Sequence, residues 1–167
     1  MFVEIVDALR CPRDHEESWL VLAAQHTEER HVLEGTLGCP VCRAEYAIHD
    51  GIADFSGASA SADSSPASIH SLSPADHLAA MLSLGDASGF AVLIGAWGTR
   101  ADALLELVEA PPLLLIDPPS GVTMGHGLSG VRAGTLLPLA TGAARAVATD
   151  SADPARVAEA ARVTRAG

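Results

Sequence analysis

Three cysteines constrain this chain more than any other feature. Cys39-Pro40-Val41-Cys42 is a pair spaced by two residues behind Gly38, and Cys11, also followed by proline, stands 28 residues earlier. Three cysteines cannot all pair internally. The two-residue spacing has the shape of a metal knuckle, and soft thiolates suit Zn²⁺, which takes four tetrahedral donors in a closed structural site. One donor is therefore missing. Asp14 and His15 are the local candidates, separated from Cys11 by two and three residues. A neutral imidazole completes the common three-cysteine, one-histidine set, so His15 is preferred and Asp14 stays open. The competing reading is three ordinary buried thiols, but a unit of about 55 residues buries little surface and usually needs a staple. His26, His31 and His49 are alternative ligands, but each reads rather as an exposed strand or turn residue. The expected metal site is thus Cys11, His15, Cys39 and Cys42, structural in role because four protein donors leave no position for an activated water.

Composition divides the rest of the chain. Residues 1–55 hold all the cysteines, four arginines and eleven acids, whereas residues 56–72, SGASASADSSPASIHSL, are mostly Ser and Ala. Such a stretch cannot bury a core and reads as a linker. From residue 73 onward the chain is rich in Ala, Leu and Val. The predicted organisation is a unit at 1–55, a linker at 56–72 and a second unit at 73–167. The net charge is −11 and every one of the ten basic residues is arginine, a balance that repels phosphate backbones and argues against direct nucleic-acid binding. No apolar run approaches the ~20 residues of a membrane span. The N-terminus lacks a basic n-region, so a cytoplasmic protein is expected.

In the first unit Phe2, Ile5, Val6 and Leu9 share one helical face, and Pro12 ends that helix. Trp19–Ala24 and His31–Thr36 read as strands around a polar turn at 25–30, with a third strand at Glu45–Ile48 before the turn Asp50-Gly51. In the second, Ser73-Pro74-Ala75-Asp76 predicts a helix start and Gly85 its stop. Phe90–Ile94, Leu113–Ile116 and Ala144–Thr149 are apolar strands. A helix through Ala101, Leu104, Leu105 and Val108 and another from Asp153-Pro154 to about Thr164 alternate with them. Strands alternating with helices predict a parallel α/β sheet. The fold class is α/β: a small zinc ribbon of one helix and short antiparallel strands, then a truncated Rossmann-like parallel sheet.

Leu9-Arg10-Cys11-Pro12, then Leu37-Gly38-Cys39-Pro40-Val41-Cys42, then Glu45-Tyr46-Ala47-Ile48-His49-Asp50-Gly51-Ile52 resemble the zinc-ribbon family of small methyltransferase activator subunits and their bacterial relatives, over about residues 1–55. The resemblance implies a zinc knuckle packed on a short helix and a small sheet, and a unit that binds and stabilises methyltransferases acting on tRNA, rRNA or translation factors. The family's four-cysteine pattern is broken at Asp14. In the second unit, Ala91–Gly98 is an apolar strand running into Gly95, Trp97, Gly98 and a helix. Gly95 and Gly98 let a backbone approach a ligand, and Asp117, ending the next strand 22 residues on, suits ribose hydroxyls. With Gly134–Leu139 and Glu159–Gly167, this resembles the class I S-adenosylmethionine-dependent methyltransferase fold over about residues 85–167. It departs in carrying two glycines where the family has three, with Trp97 crowding the turn, so S-adenosylmethionine is expected to bind weakly. The chain's last residue falls at the helix that precedes the family's fifth strand, which reads as a truncated sheet. Asp150 reads as a capping or loop acid, and His126 as a loop residue.

Three functions compete. A non-catalytic, zinc-binding adaptor with a methyltransferase-like scaffold explains the short sheet and altered loop together, and is preferred. A small methyltransferase completed by a partner or a second copy is the alternative. A nucleotide-binding module without chemistry is the third. The expected partner is a protein, such as a methyltransferase, or a homodimer mate, since an unpaired sheet edge is a template for association.

Overall fold

The computed structural model describes residues 1–57, 74–85, 88–107, 112–125 and 127–166. Its elements run α1 Val3–Val6, β1 Val21–Glu28, β2 His31–Gly38, β3 Glu45–His49, β4 Ile52–Asp54, α2 Ala75–Met81, β5 Ala91–Ile94, a 3₁₀ turn Gly95–Arg100, α3 Ala101–Leu107, β6 Leu113–Ile116, β7 Leu128–Arg132, β8 Ala146–Ala148 and α4 Pro154–Val163. The α/β class is as expected. Among the described residues all eight strands belong to one sheet, in the order β1-β2-β3-β4-β7-β6-β5-β8. The first four are an antiparallel meander, and the last four are parallel.

The seam between the two halves is β4, which pairs in parallel with β7 through Ile52–Gly130, Ala53–Val131 and Asp54–Arg132. Gly130 makes that approach possible, because a Cβ there would lie 2.8 Å from Ile52 Cγ1. Its neighbour Ser129 is fully buried, and its hydroxyl accepts the Phe2 N–H at 2.8 Å. The predicted boundary near residue 55 therefore falls at the end of a strand already built into the parallel sheet. Most of the predicted linker, residues 58–72, lies outside the described residues, as do Ser73, Val108 and His126.

Alternation within β5 and β6 sends side chains to two faces, as strand geometry requires. Val92, Ile94, Leu114 and Ile116 join a core that also holds Ile5, Leu9, Leu37, Ile48 and Val163, so α1, the meander and α4 share it. Ala91, Leu93, Leu113 and Leu115 pack with Leu78 of α2 and Leu104 of α3. Both faces of the parallel strands are thus covered, as buried parallel sheets demand.

Several elements differ from the sequence reading. The helix over Phe2–Leu9 shrinks to α1, because Leu9 bridges Leu139 and the Arg10 N–H donates to the Pro138 carbonyl. The polar stretch 25–30 is mostly strand: β1 is an exposed edge strand with no apolar alternation to betray it, and the turn narrows to Glu29-Arg30, with Glu29 at φ 51°. The turn at Asp50-Gly51 holds positive φ at both residues, 49° and 75°, and returns the chain into β4, which the sequence did not announce. Pro74 takes the N-cap position of α2, and Ser83 at φ 52° ends it before Gly85; the Leu84 N–H then donates to the Ala79 carbonyl. That is a Schellman-type stop built on serine. Strand β7 was hidden by its Ser and Gly. Just before β8, residues 163–165 return alongside Ala144, whose N–H donates to the Val163 carbonyl at 2.9 Å while its carbonyl accepts the Arg165 N–H at 2.7 Å. Among the described residues no helix is long and apolar enough to cross a membrane.

Candidate metal centre

Two loops, one leading into the meander and one within it, bring the sulfurs together. The first leaves α1, and its ends are tied by the Arg10–Trp19 bridge and by the Cys11 N–H donating to the Ser18 carbonyl at 3.2 Å. It carries Cys11 and His15. The second follows β2, where the Arg43 N–H donates to the Cys39 carbonyl at 2.9 Å and the Cys39 N–H to the Ala44 carbonyl at 2.8 Å. Arg43 sits at φ 59°, which folds the loop back so that Cys39 and Cys42 face the same point.

Donor atoms of Cys11, His15, Cys39 and Cys42 all lie within 4.8 Å of one another, a set that could hold a metal ion. Cys11 Sγ stands 3.7 Å from Cys42 Sγ, and Cys39 Sγ stands 3.4 Å from His15 Nε2. Around a tetrahedral zinc, ligand distances of about 2.3 Å for sulfur and about 2.0 Å for nitrogen place neighbouring sulfurs about 3.8 Å apart and a sulfur–nitrogen pair about 3.5 Å apart. Both of these edges fit. His15, not Asp14, is the member of this cluster. Its Nδ1 lies 2.6 Å from the Glu16 carbonyl, so a proton on Nδ1 leaves the Nε2 lone pair facing the sulfurs.

Electrostatics favours thiolate at one position. Burial opposes ionisation of Cys39, but the N–H groups of Cys42 and Val41 and the neighbouring thiols outweigh it and bring the thiol down to about 6. Burial pushes Cys11 upward. The Glu16 carbonyl raises His15 by favouring its protonated ring. Burial, and then the Cys11 contact, hold the Tyr46 phenol well above its usual range. The Tyr46 phenol is therefore neutral, with Oη 3.2 Å from Cys11 Sγ and its ring 4.4 Å from that of Phe55. The sequence reading gave Tyr46 no role, although its spacing from Ile48 already places both on the buried face of β3.

The other predicted site residues lie at the carboxyl ends of the parallel strands, apart from the sulfurs. Gly95 has φ 65°, and a Cβ there would lie 2.7 Å from an Asp150 carboxylate oxygen. Gly98 is buried against Pro119, whose Cδ would lie 2.8 Å from an added Cβ. Trp97 is half-buried beside the α2–α3 core, with its indole nitrogen lacking a hydrogen-bond partner among the described residues. Both Asp117 oxygens are engaged: one accepts the Ala133 N–H at 2.9 Å, the other Arg156 Nη2 at 2.6 Å. No protein-family model matches the chain, and neither does any curated protein, so the reading of these sites rests on their own chemistry.

Proposed function

We propose that this protein is a zinc-stapled, non-catalytic scaffold for protein contact, in which the ribbon docks on the chain's own parallel sheet. The carrying observation is the cluster of three sulfurs and one imidazole nitrogen within 4.8 Å. Cys11, Cys39, Cys42 and His15 would hold Zn²⁺, whose contribution there is cross-linking, since structural zinc supplies folding free energy directly. The pairing of β4 with β7 supports the docking part: the ribbon covers a strand edge of the sheet that would otherwise be open. Contact with another protein is supported by exposed apolar side chains around the knuckle. Trp19 is 71% exposed beneath the Arg10 guanidinium, and Val21, two residues on, and Val41, between the knuckle cysteines, are exposed as well. Exposed tryptophan is a frequent anchor of protein interfaces.

The four neighbouring parallel strands β7-β6-β5-β8 favour a second reading, a small methyltransferase completed by a partner or second copy, because the sequence resemblance implies a parallel sheet. Affinity capture from the source cell, run beside Trp19→Ala, separates the two. The scaffold reading expects a stoichiometric protein partner that is lost with Trp19→Ala and no methyl transfer by the purified complex. Methyl transfer by that complex, or by the chain alone, would overturn it.

A further inference from the structure

In an open parallel sheet, ligands bind outside the carboxyl ends of the strands where the strand order reverses. Here the chain moves from β5 to β6 to β7 on one side, then returns to place β8 on the other side of β5, so the reversal lies between β5 and β8. The chain itself spans that place. Asp150, just after β8, accepts the Ala96 N–H from the turn after β5 at 3.2 Å. Six residues on, Arg156 reaches the next two strand ends: Nη2 donates to Asp117 after β6 at 2.6 Å, and Nη1 donates to the Gly134 carbonyl after β7 at 2.8 Å. Its side chain is only 15% exposed. One short segment therefore ties down the carboxyl ends of β5, β6 and β7.

We infer that Asp150–Arg156 is a strap that closes the crevice against nucleoside ligands, with Arg156 standing on the carboxylate that a ribose would use. An acid at the end of the second strand serves a nucleoside by accepting its vicinal hydroxyls. Asp117 has its two oxygens taken by the Ala133 N–H and by a guanidinium, and a charge-assisted pair of this kind is among the stronger hydrogen bonds a ligand could have to displace. Asp150 likewise places a carboxylate against the glycine turn, where an incoming anionic group would stand. The strap substitutes for both ends of such a ligand. This holds whether or not the sulfur cluster carries metal.

The test is titration calorimetry with S-adenosylhomocysteine, which has both a ribose diol and a carboxylate, on the full chain and three variants. Wild type and Arg156→Lys, which keeps the cation at Asp117, should bind no tighter than about 1 mM. Arg156→Ala and Asp150→Ser should each bind at least about tenfold tighter than wild type. Circular dichroism and zinc content on every sample separate a closed crevice from a damaged fold or an empty metal site. If Arg156→Ala does not fold, Asp150→Ser carries the comparison alone. Wild-type binding as tight as that of the variants, or folded variants that bind no better than wild type, would overturn the strap.

Discussion

Gly130→Ala tests whether the two halves stand or fall together. The added Cβ would meet Ile52 Cγ1 at 2.8 Å, Met124 Sδ at 3.1 Å and Ile52 Cβ at 3.4 Å. The methionine can swing aside, but Ile52 is β-branched, stiff at χ1, and sits in a three-residue strand hydrogen-bonded on both sides. Relief requires β4 to move away from β7. Overpacking of this kind costs about 1–3 kcal/mol, and for a chain of this size each kcal/mol lowers Tm by about 2–4 °C. The expected drop is roughly 2–12 °C in a thermal melt followed by circular dichroism. Because one core holds Ile48 and Leu37 together with Ile94 and Ile116, the loss should spread to both halves. Hydrogen exchange should accelerate in peptides from β2 and β3 and equally in those from β5 and β6. A melting temperature within about 1 °C of wild type, or faster exchange confined to the meander, would refute the reasoning.

Two further predictions rest on single side chains. Tyr46→Phe removes the hydroxyl that approaches Cys11 Sγ at 3.2 Å; outer-shell partners of metal ligands change metal affinity by about 10–100-fold, so a chelator-competition titration should show zinc held at least about tenfold more weakly, with the fold intact. Glu159 is held below its ordinary range chiefly by its hydrogen bond to Arg162, and its carboxylate also accepts the Leu137 N–H at 2.9 Å. A depressed folded-state value means stability that is present above the unfolded value of about 4.3 and is lost as pH falls through the folded one. Glu159→Gln should therefore lower stability at neutral pH and flatten the acid limb of a denaturation profile; an unchanged slope below about pH 4.3 would count against it.

How much of this was legible in the sequence follows from where each residue's reason lies. Ala91–Ile94 and Leu113–Ile116 are unbroken apolar runs because both faces are buried, and such runs announce themselves. Asp153-Pro154 announced α4, where the Asp153 carboxylate does accept the Ala155 N–H at 3.0 Å. Strand β7 could not be read, because Ser129 and Gly130 are there for Phe2 and Ile52, partners more than 75 residues away. The outer half of β1 was missed because an exposed edge strand needs no apolar pattern. At the candidate metal centre, spacing gathered Cys11, Cys39 and Cys42, since local loops decide where they point. Choosing between Asp14 and His15 needed the turn that sets the imidazole against the Glu16 carbonyl. Asp117 was read as a free acceptor because Arg156, 39 residues on, leaves no local mark.

Elemental analysis of the purified chain tests the central claim most directly. With three cysteine sulfurs and the His15 imidazole converging within 4.8 Å, the protein purified without added metal or chelator should carry about one zinc per chain. Cys39→Ser should lose that zinc, and because the ribbon strand β4 is part of the common sheet, it should lower the stability of the parallel half as well. A chain free of metal, with β1–β4 nonetheless ordered and unaffected by Cys39→Ser, would contradict the account.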